Sequence, residues 1–520
     1  MSENYYEEYG AKATDTADKD ITEYITKTIE KYNEETMEWE IIGQINDPHT
    51  NPWSVPHIDT TQPGAQYRIR YNVKDEENKP AEEVTRLINI RQPSGPKGDP
   101  ITNHVGGSTF GDRGIAITPD GDTIAAGASG YFVEVYHWVN GAWALKGNRI
   151  NPPTHWESTT YPKPRDTSTN FGRQVQLSED GNRLFVAATN WSSQVTFNSL
   201  SPVRMHKNEG TVVIYDWNGS TWVKSSEVNR DTYPIVDYGA RDEYGYFSDT
   251  LNVPNDGKSM LLGHSSGSAY RSLYAPDKVL TFSNTTVPGS AGTWIYRSTR
   301  GTYGGIWGTG DSFHNRCHTI SANGRWYVYG NPTTKSRYHR RGMMRRFAVG
   351  EINAEGAISG ARGKPWSIPG QNPQAQGSQP GSKDSTELSG YPGVEADYDP
   401  PEMIEITDDG NTVIVGSANT NSVHIMTWNS TAETWDEAQE IIKSTGQFGH
   451  RVKLMGDTCF AVTQPDSSKT YIYEKSGSTW LEIDSVDAPV SGMDASRVIG
   501  GGKGGHLLLG KAGTLRVVRV

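Results

Sequence analysis

The sequence predicts an all-β fold, a seven-bladed β-propeller, and three observations lead to this prediction. Units of similar sequence recur along the chain, each unit contains a tight turn with glycine, and an apolar strand follows each turn. The clearest copies begin FGDRGIAITPDGDTIAAGA at residue 110, FGRQVQLSEDGNRLFVAA at 171, IEITDDGNTVIVGSA at 404 and FGHRVKLMGDTCFAVTQ at 448. A repeated unit of several short strands is typical of propellers and other repeat architectures.

Each unit is predicted to form four antiparallel strands. The first strand alternates apolar and polar residues, and the second is almost continuously apolar, as expected for a strand buried on both faces. Glycine in the turn between them accepts the positive φ that primed turns require. These turns are Asp120-Gly121, Asp180-Gly181, Asp256-Gly257, Asn323-Gly324 and Asp409-Gly410. The third strand is rich in aromatic residues, and the fourth opens with Trp143, Trp222, Trp435 or Trp480.

The number of turns predicts the number of blades. Turns fall near residues 120, 180, 256, 323, 409 and 456, and a degenerate one occurs at Gly504-Gly505. We therefore expect seven blades that begin near residues 104, 165, 240, 311, 400, 446 and 490.

The repeated pattern resembles the FG-GAP-like repeats of integrin α-subunits and of bacterial and viral surface proteins. The resemblance covers about residues 100–520. Calcium-binding members carry a D-x-D-x-D-G loop, which the turns PDGD, EDGN, NDGK and DDGN lack. We therefore interpret these sequences as turns and predict neither a metal nor another cofactor.

Composition limits the classes of partner. The 520 residues carry a formal net charge of −12, and residues 1–40 alone contain 12 Asp or Glu against 4 Lys. A surface that tracks phosphates would be basic, so nucleic acid is not an expected partner. No apolar run is long enough for a membrane-spanning helix. Only Cys317 and Cys459 are present, which gives no disulfide framework.

The N-terminal region is predicted to be an anchor. Residues 1–36 form an acidic segment, and residues 16–36 are predicted to be one amphipathic helix. The apolar residues at helical spacing are Ile21, Tyr24, Ile25, Ile29 and Tyr32. A helix of this length is marginal in water. Its apolar stripe would pack on the body of this chain or dock to another subunit.

Residues 37–93 are predicted to form a small β module, residues 94–103 a linker, and residues 104–520 the propeller. The stretch QPGAQYRIRYNVKDEENKPAEEVTRLINIRQ resembles the end of Ig-like repeats in bacterial surface proteins, which are spacers. Its first strand alternates Tyr67, Ile69, Tyr71 and Val73, and its second contains Val84, Leu87, Ile88 and Ile90. SGPKGDP at 94–100 is similar to collagen-like joints of viral fibres, but one such triplet cannot form a triple helix.

Closure of the ring has two interpretations. The last blade ends at TLRVVRV without a fourth strand, and WEIIGQINDP at 39–48 is similar to the fourth strand of blade one, WALKGNRINPP. Residues 38–46 would then complete the last blade and remove an exposed sheet edge. Alternatively, this segment belongs to the Ig-like module.

Few residues suggest catalysis. The segment DSFHNRCHT has an H-x-x-C-H spacing, but no second pair of metal ligands is visible, and its position fits the first strand of a blade. No nucleophile elbow, zinc-protease motif or phosphate loop occurs. We therefore predict a non-enzymatic protein, although carboxylates from distant loops could still meet.

Two loop segments are candidate binding sites. KSRYHRRGMMRR at 335–346 reverses the sign of charge locally, and Arg forks bind carboxylate, phosphate and sulfate. Its basic residues are Arg337, His339, Arg340, Arg341, Arg345 and Arg346. They would bind a polyanion or an acidic partner, or they would only form a solvated or internally paired loop. Trp307, in a Gly-rich insertion, is a candidate for contact with a sugar ring.

Together these features predict a virion structural protein of a tailed phage or another virus, in a tail, fibre or vertex. The N-terminal region would bind other virion proteins, and the propeller would face the host surface or help to assemble the particle, in multiple copies. No secretion leader is visible, and a virion protein assembled in the host cytoplasm needs none. The alternatives are a leaderless scaffold that gathers protein partners and a glycan depolymerase.

Overall fold

The computed structural model is all-β, and its chain divides into two compact units, Met1–Pro93 and Ser94–Val520. The all-β prediction is therefore confirmed. The structure describes residues 25–33, 36, 38–45, 58, 65–74, 79–81, 83–89, 95–103, 109–153, 169–189, 194–195, 204–205, 210–228, 245–266, 278–284, 294–301, 317–330, 346–353, 358–362, 366–367, 403–418, 420–487, 490–497 and 505–520. Within these ranges no helix is long and apolar enough to cross a membrane.

The first unit contains one antiparallel sheet of four strands in the order β2-β1-β3-β4. The strands are β1 Thr26–Asn33, β2 Glu38–Ile45, β3 Gln66–Asn72 and β4 Val84–Asn89. As predicted, Tyr67, Ile69 and Tyr71 are buried, whereas Val84 and Leu87 on the edge strand β4 are exposed.

The predicted N-terminal helix is wrong where the structure describes it. Residues 26–33 form β1, which lies between β2 and β3. Ile29 is fully buried opposite Ile69 of β3. The helical spacing of apolar residues is overridden here because Thr26, Thr28 and Ile29 are β-branched, and their strand gains pairing partners on both sides. Ile21 and Tyr24 lie outside the described residues.

The second unit begins with two short strands, β5 Gly95–Pro96 and β6 Ile101–Thr102. The first sheet follows, with β7 Phe110–Ile117, β8 Thr123–Ala128, β9 Phe132–Val139 and β10 Ala142–Leu145. The second sheet has β11 Phe171–Leu177, β12 Arg183–Ala188, β15 Thr211–Trp217 and β16 Trp222–Val228. Between its middle strands, β13 Gln194–Val195 pairs with β14 Arg204–Met205.

The next two sheets repeat this antiparallel order. The third has β17 Gly245–Asn252, β18 Ser259–Ser266, β19 Lys278–Asn284 and β20 Trp294–Gly301. The fourth has β21 Cys317–Ile320, β22 Trp326–Gly330, β23 Arg346–Ile352 and β24 Ile358–Ala361, and β25 Trp366–Ser367 also pairs with β23.

Three further sheets complete the unit. The fifth has β26 Ile404–Ile406, β27 Thr412–Ser417, β28 Ser422–Asn429 and β29 Thr434–Ile442. The sixth has β30 Val452–Leu454, β31 Cys459–Gln464, β32 Lys469–Ser476 and β33 Thr479–Asp487. The seventh has β34 Gly492–Ala495, β35 His506–Lys511 and β36 Thr514–Arg519, and β5 and β6 pair with β36.

The sheets contact one another in a closed cycle, which is the arrangement of a β-propeller. The first strand of each sheet packs on the first strand of the next, and β34 and β35 of the last sheet pack on β7 of the first. Apolar clusters fill the spaces between consecutive sheets. One joins Leu508, Leu515 and Val517 of the last sheet to Phe110 and Ile124 of the first.

The ring is closed by residues 95–102, so the interpretation in which residues 38–46 close it is wrong. Glu38–Ile45 pairs with β1 in the first unit, which supports the competing interpretation that this segment belongs to the N-terminal module. Gly95 and Pro96 pair with Arg519 and Val518, at one end of β36. Residues 94–103 are therefore not a linker, because the strands at 95–96 and 101–102 supply the fourth strand of the last sheet.

A basic side chain joins consecutive sheets at three places. Lys97 and Lys146 each lie against two tryptophan rings of the next sheet. Arg362 lies against Trp326 of its own sheet and Trp428 of the next. Each also donates a hydrogen bond to the carbonyl of the turn glycine, over 2.7 Å in all three cases. These contacts account for the recurrence of tryptophans and turn glycines in the sequence.

Candidate functional site

The two ends of the sheets differ in the length of their connections. We call the end at which a first strand turns into its second strand the turn face, and the opposite end the loop face. Connections on the turn face are mostly short, as at 118–122, 178–182, 321–325 and 407–411. The long connections are on the loop face: 146–170, 189–210, 229–244, 267–277, 302–316, 331–345 and 368–403.

The predicted binding residues belong to the loop-face connections. Trp307 is in 302–316, and Arg337, His339, Arg340, Arg341 and Arg345 are in 331–345, outside the described residues. Arg346 is the first residue of β23 and pairs with Ser367. The strand ends that these two segments connect lie at the loop face.

On the turn face, the Asp and Asn side chains are used by the turns themselves. Thr118 donates a hydrogen bond of 2.5 Å to Asp120 Oδ1, which also accepts one from the backbone N–H of Asp122. The same pair of bonds recurs around Asp180, Asn323 and Asp409. The glycines of the five predicted Asp-Gly and Asn-Gly turns have positive φ, which confirms these turns. Gly505 of the predicted degenerate turn does not, and Gly504 lies outside the described residues. Within the described ranges, no group of three or more His, Cys, Asp or Glu residues is placed to hold a metal ion.

At the centre of the ring, equivalent positions on the first strands form a polar belt. The pairing of each first strand with its second strand defines this position. Six of the seven belt residues are polar: Ala116, Gln176, Asn252, Thr319, Glu405, Lys453 and Asp494. The charged residues of the belt are those of the fifth, sixth and seventh sheets.

The charged part of the belt is a buried ion cluster. Lys453 Nζ lies 3.3 Å from Glu405 Oε1 and 3.9 Å from Asp494 Oδ1. Glu405 is fully buried and accepts no hydrogen bond within the described residues. Asp494 Oδ2 accepts one of 3.0 Å from the backbone N–H of Ile117 in the first sheet. Burial raises the pKa of the Asp494 carboxyl, and the Lys453 ammonium opposes this rise.

Arg497 extends this cluster across the ring. Its Nη2 lies 3.8 Å from Glu405 Oε2 and donates a hydrogen bond to the carbonyl of Ile320 in the fourth sheet. Asn255, which follows the third sheet's first strand, donates a hydrogen bond of 2.6 Å to the carbonyl of Arg497. Arg497, the second residue after the last sheet's first strand, thus joins the third, fourth and fifth sheets, and the chain's own side chains occupy the axis.

His318 lies in the segment DSFHNRCHT, and the structure supports a strand there. Cys317–Ile320 is β21, the first strand of the fourth sheet, and His318 is fully buried. Burial lowers the pKa of His318 to about 3. The ring therefore stays neutral in the folded protein at pH values where the unfolded chain, with its ordinary pKa near 6.5, is protonated.

We expect His318 to make folding sensitive to acid. Because its folded-state pKa is lowered, its contribution to stability is complete above pH 6.5 and is lost as the pH falls towards 3. His318→Asn should remove much of the fall in unfolding free energy between pH 6.5 and 4, a difference on the order of 3 kcal/mol. Urea titrations at both pH values measure it. An unchanged pH dependence in the variant would contradict the assignment.

A Ser–His–Glu relay occurs in the fifth sheet. The Ser422 Oγ lies 2.9 Å from His424 Nε2, and His424 Nδ1 lies 2.7 Å from Glu437 Oε1. These distances are those of a nucleophile, a base and an orienting acid. Ser422 is fully buried, however, and its hydroxyl also bonds to Thr420 Oγ1 at 2.6 Å. The relay therefore stabilises the sheet and does not offer a nucleophile to a substrate.

Sequence reasoning missed the axial cluster and the closing segment. The cluster appears only when Glu405, Lys453 and Asp494 are aligned by strand register, and each is an isolated charge in its own strand. The closing segment did carry a signal. KGDPI at 97–101 matches KGNRI at 146–150, and both lysines contact the tryptophans of the next sheet.

Comparison with known proteins gives distant structural similarity only. No family model matches the sequence, and the search of curated proteins gave no match. A protein from Lactobacillus plantarum has a TM-score of 0.42 at 12% identity, over 81% of this chain and 92% of its own. The β-propeller domain of Myceliophteria thermophila Cps50 (Swd1) has a TM-score of 0.42 at 10% identity, over 82% and 100%.

A putative 6-phosphogluconolactonase from Bacteroides fragilis has a TM-score of 0.40 at 9% identity, over 89% of this chain and 95% of its own. Because all three TM-scores are below 0.5, we draw no functional conclusion from these similarities.

Proposed function

We propose that the chain is a virion structural protein whose N-terminal unit anchors it and whose propeller presents the loop face to the host surface or to a neighbouring virion component. In this proposal the ring is an FG-GAP-like propeller of seven blades, and the N-terminal unit is an Ig-like spacer. The resemblance of both segments to surface and virion proteins supports this assignment.

The observation that supports the proposal best is that the chain enters the second unit at one face and has its long connections at the other. Gly95, where the closing strand begins, pairs with Arg519 at the turn-face end of β36. Thr102 pairs with Thr514 at the loop-face end. The chain therefore enters the ring at the turn face, whereas the long connections leave from the opposite face. An attachment protein needs this separation between the end that is held and the end that binds.

The proposed role is non-enzymatic. The axis of the ring is occupied by Glu405, Lys453, Asp494 and Arg497, and the Ser422 relay is enclosed. Variable loops on a stable scaffold are a common way to build a binding surface. Partners of the loop face would be host-surface glycans or polyanions, or an acidic neighbouring subunit.

Removal of the N-terminal unit should separate anchoring from folding. A chain that lacks residues 1–93 should melt cooperatively as a ring but should not join virus particles when it is supplied during assembly. Quantitative mass spectrometry of purified particles measures incorporation. Incorporation at the level of the full chain would show that the anchor lies elsewhere. Removal of only residues 1–36 is a poorer test, because β1 is the second strand of the N-terminal sheet.

Loss of charge on the Arg-rich segment should weaken binding without unfolding the ring. Replacing Arg340, Arg341, Arg345 and Arg346 with Ser should change stability little, because exposed ion pairs contribute about 0–1 kcal/mol each. Binding to envelope polyanions should weaken and lose its dependence on salt. The same variant should still join particles, which makes it the control for the truncation. Normal binding by the folded variant would refute the role of this segment.

A further inference from the structure

The segment that closes the ring also connects it to the N-terminal unit. We call residues 95–103 the clasp. Along β36, the clasp pairs through Gly95 and Pro96 at one end and through Ile101 and Thr102 at the other. Two further backbone bonds extend this ladder, from Lys97 N–H to the Val517 carbonyl and from Asn103 N–H to the Gly513 carbonyl.

Near its turn-face end, the clasp is also fixed to the first sheet by Lys97. The Nζ of this buried lysine donates a hydrogen bond of 2.7 Å to the Gly121 carbonyl and forms an ion pair with Asp122. It lies 5.6 Å and 5.7 Å from the ring centres of Trp138 and Trp143. Trp143 Nε1 donates a hydrogen bond of 2.8 Å to the Lys97 carbonyl.

At its loop-face end, the clasp is fixed to the first sheet a second time. Asn103 Nδ2 donates a hydrogen bond of 2.5 Å to Glu134 Oε2. Glu134 is buried and is held by hydrogen bonds from Tyr136 and Arg149. The clasp therefore bonds to the last sheet along its length and to the first sheet at both ends.

The direction of the clasp determines how it responds to force. It runs from the turn face to the loop face, and antiparallel ladder bonds are perpendicular to the strands. A pull between the two faces is directed along the strands, so it loads the ladder bonds and the Lys97 contacts together. Sequential opening, one bond at a time, would need a pull across the strands.

We propose that the clasp is a mechanical tether, in which Lys97 and the pairing with β36 carry tension between the anchored N-terminal unit and a partner held by the loop face. This inference rests on the proposed attachment function for its purpose. The resistance of the clasp to force is a property of the isolated protein and can be measured without a virion.

Single-molecule force spectroscopy on the full chain tests the tether. One handle is attached at the N-terminus and the other at a bioorthogonal side chain that replaces Tyr131, which is 59% exposed on the loop face of the first sheet. The lifetime of the closed ring is measured at constant force, and ring opening is identified by the released contour length. Lys97→Met should shorten this lifetime about tenfold or more, because it removes charge-assisted contacts that must break for opening.

Lys146→Met is the matched control. Lys146 makes the corresponding contacts with Trp217, Trp222 and the Gly181 carbonyl, but between the first and second sheets and away from the pulled segment. In place of the ion pair with Asp122, it donates a hydrogen bond of 3.0 Å to Asn182 Oδ1. Both variants should lower the denaturant midpoint, and only Lys97→Met should shorten the lifetime under force. Should Lys97→Met fail to fold, Asp122→Asn removes the ion pair alone and should give a smaller shortening.

Equal shortening by the Lys97 and Lys146 variants would overturn the proposal, as would an unchanged lifetime in both Lys97→Met and Asp122→Asn. Incorporation into particles distinguishes a failure of the proposed attachment function from a failure of the tether. If the chain is absent from particles while the lifetimes behave as expected, the attachment function fails and the mechanical role of the clasp stands.

Discussion

A chain that begins at residue 104 will not form a stable ring, whereas a chain that begins at residue 94 will. Without the clasp, β36 becomes an exposed edge strand, and such edges pair with other chains and aggregate. The shorter chain also loses the bonds of Lys97 and Asn103 to the first sheet. We expect a loss on the order of 5 kcal/mol, which is comparable to the net stability of many domains.

Thermal unfolding of both chains, followed by circular dichroism and light scattering, measures this difference. The chain 94–520 should unfold in one cooperative transition, and the chain 104–520 should aggregate or melt far below it. A peptide of residues 94–103 added in excess should raise the melting temperature of the shorter chain by mass action. Similar melting of the two chains without peptide would contradict the assignment of the clasp.

Lys453→Met should destabilise the ring by about 3–5 kcal/mol. The substitution keeps most of the side-chain volume but leaves Glu405 buried without its nearest cation, and an uncompensated buried charge is costly. Arg497, at 3.8 Å from the other carboxylate oxygen, compensates this charge only in part. Urea unfolding measures the effect.

An exposed pair of the same length is the control. Lys469 Nζ lies 3.3 Å from Asp487 Oδ1, the distance that also separates Lys453 from Glu405, but both partners are solvent-exposed to a large degree. Lys469→Met should cost less than about 1 kcal/mol. Comparable losses of unfolding free energy in the two variants would show that the buried ion cluster contributes no more to stability than an exposed ion pair does.

The sequence correctly predicts those elements that depend only on residues close together in the chain. The turns at Asp120-Gly121 and Asp180-Gly181 depend on positive φ, which glycine favours, and both are as expected. The strand over residues 26–33 was predicted as a helix because its apolar spacing is helical. Its real determinant is pairing with β2 and β3, which lie further along the chain.

Contacts between distant segments explain what the sequence did not reveal. Asp494 bonds to Ile117 across most of the chain length, and no local pattern marks such a pair. The similarity of residues 39–48 to a fourth strand rests on their tryptophan, but the residue that identifies the closing strand is Lys97. A lysine in or just after the fourth strand of one sheet packs on the tryptophans of the next sheet. The segments at 302–316 and 331–345 carry aromatic and charge patterns in the sequence, but only the topology of the sheets shows that both connect strand ends at the loop face.

The central claim is the orientation of the ring in a virus particle. Cryo-electron microscopy of purified particles of a virus that encodes this chain tests it most directly. The account predicts a ring-shaped density whose turn face points to the particle and whose loop face points outward or towards a neighbouring component. A ring held to the particle by its loop face would contradict it, as would particles that lack this chain.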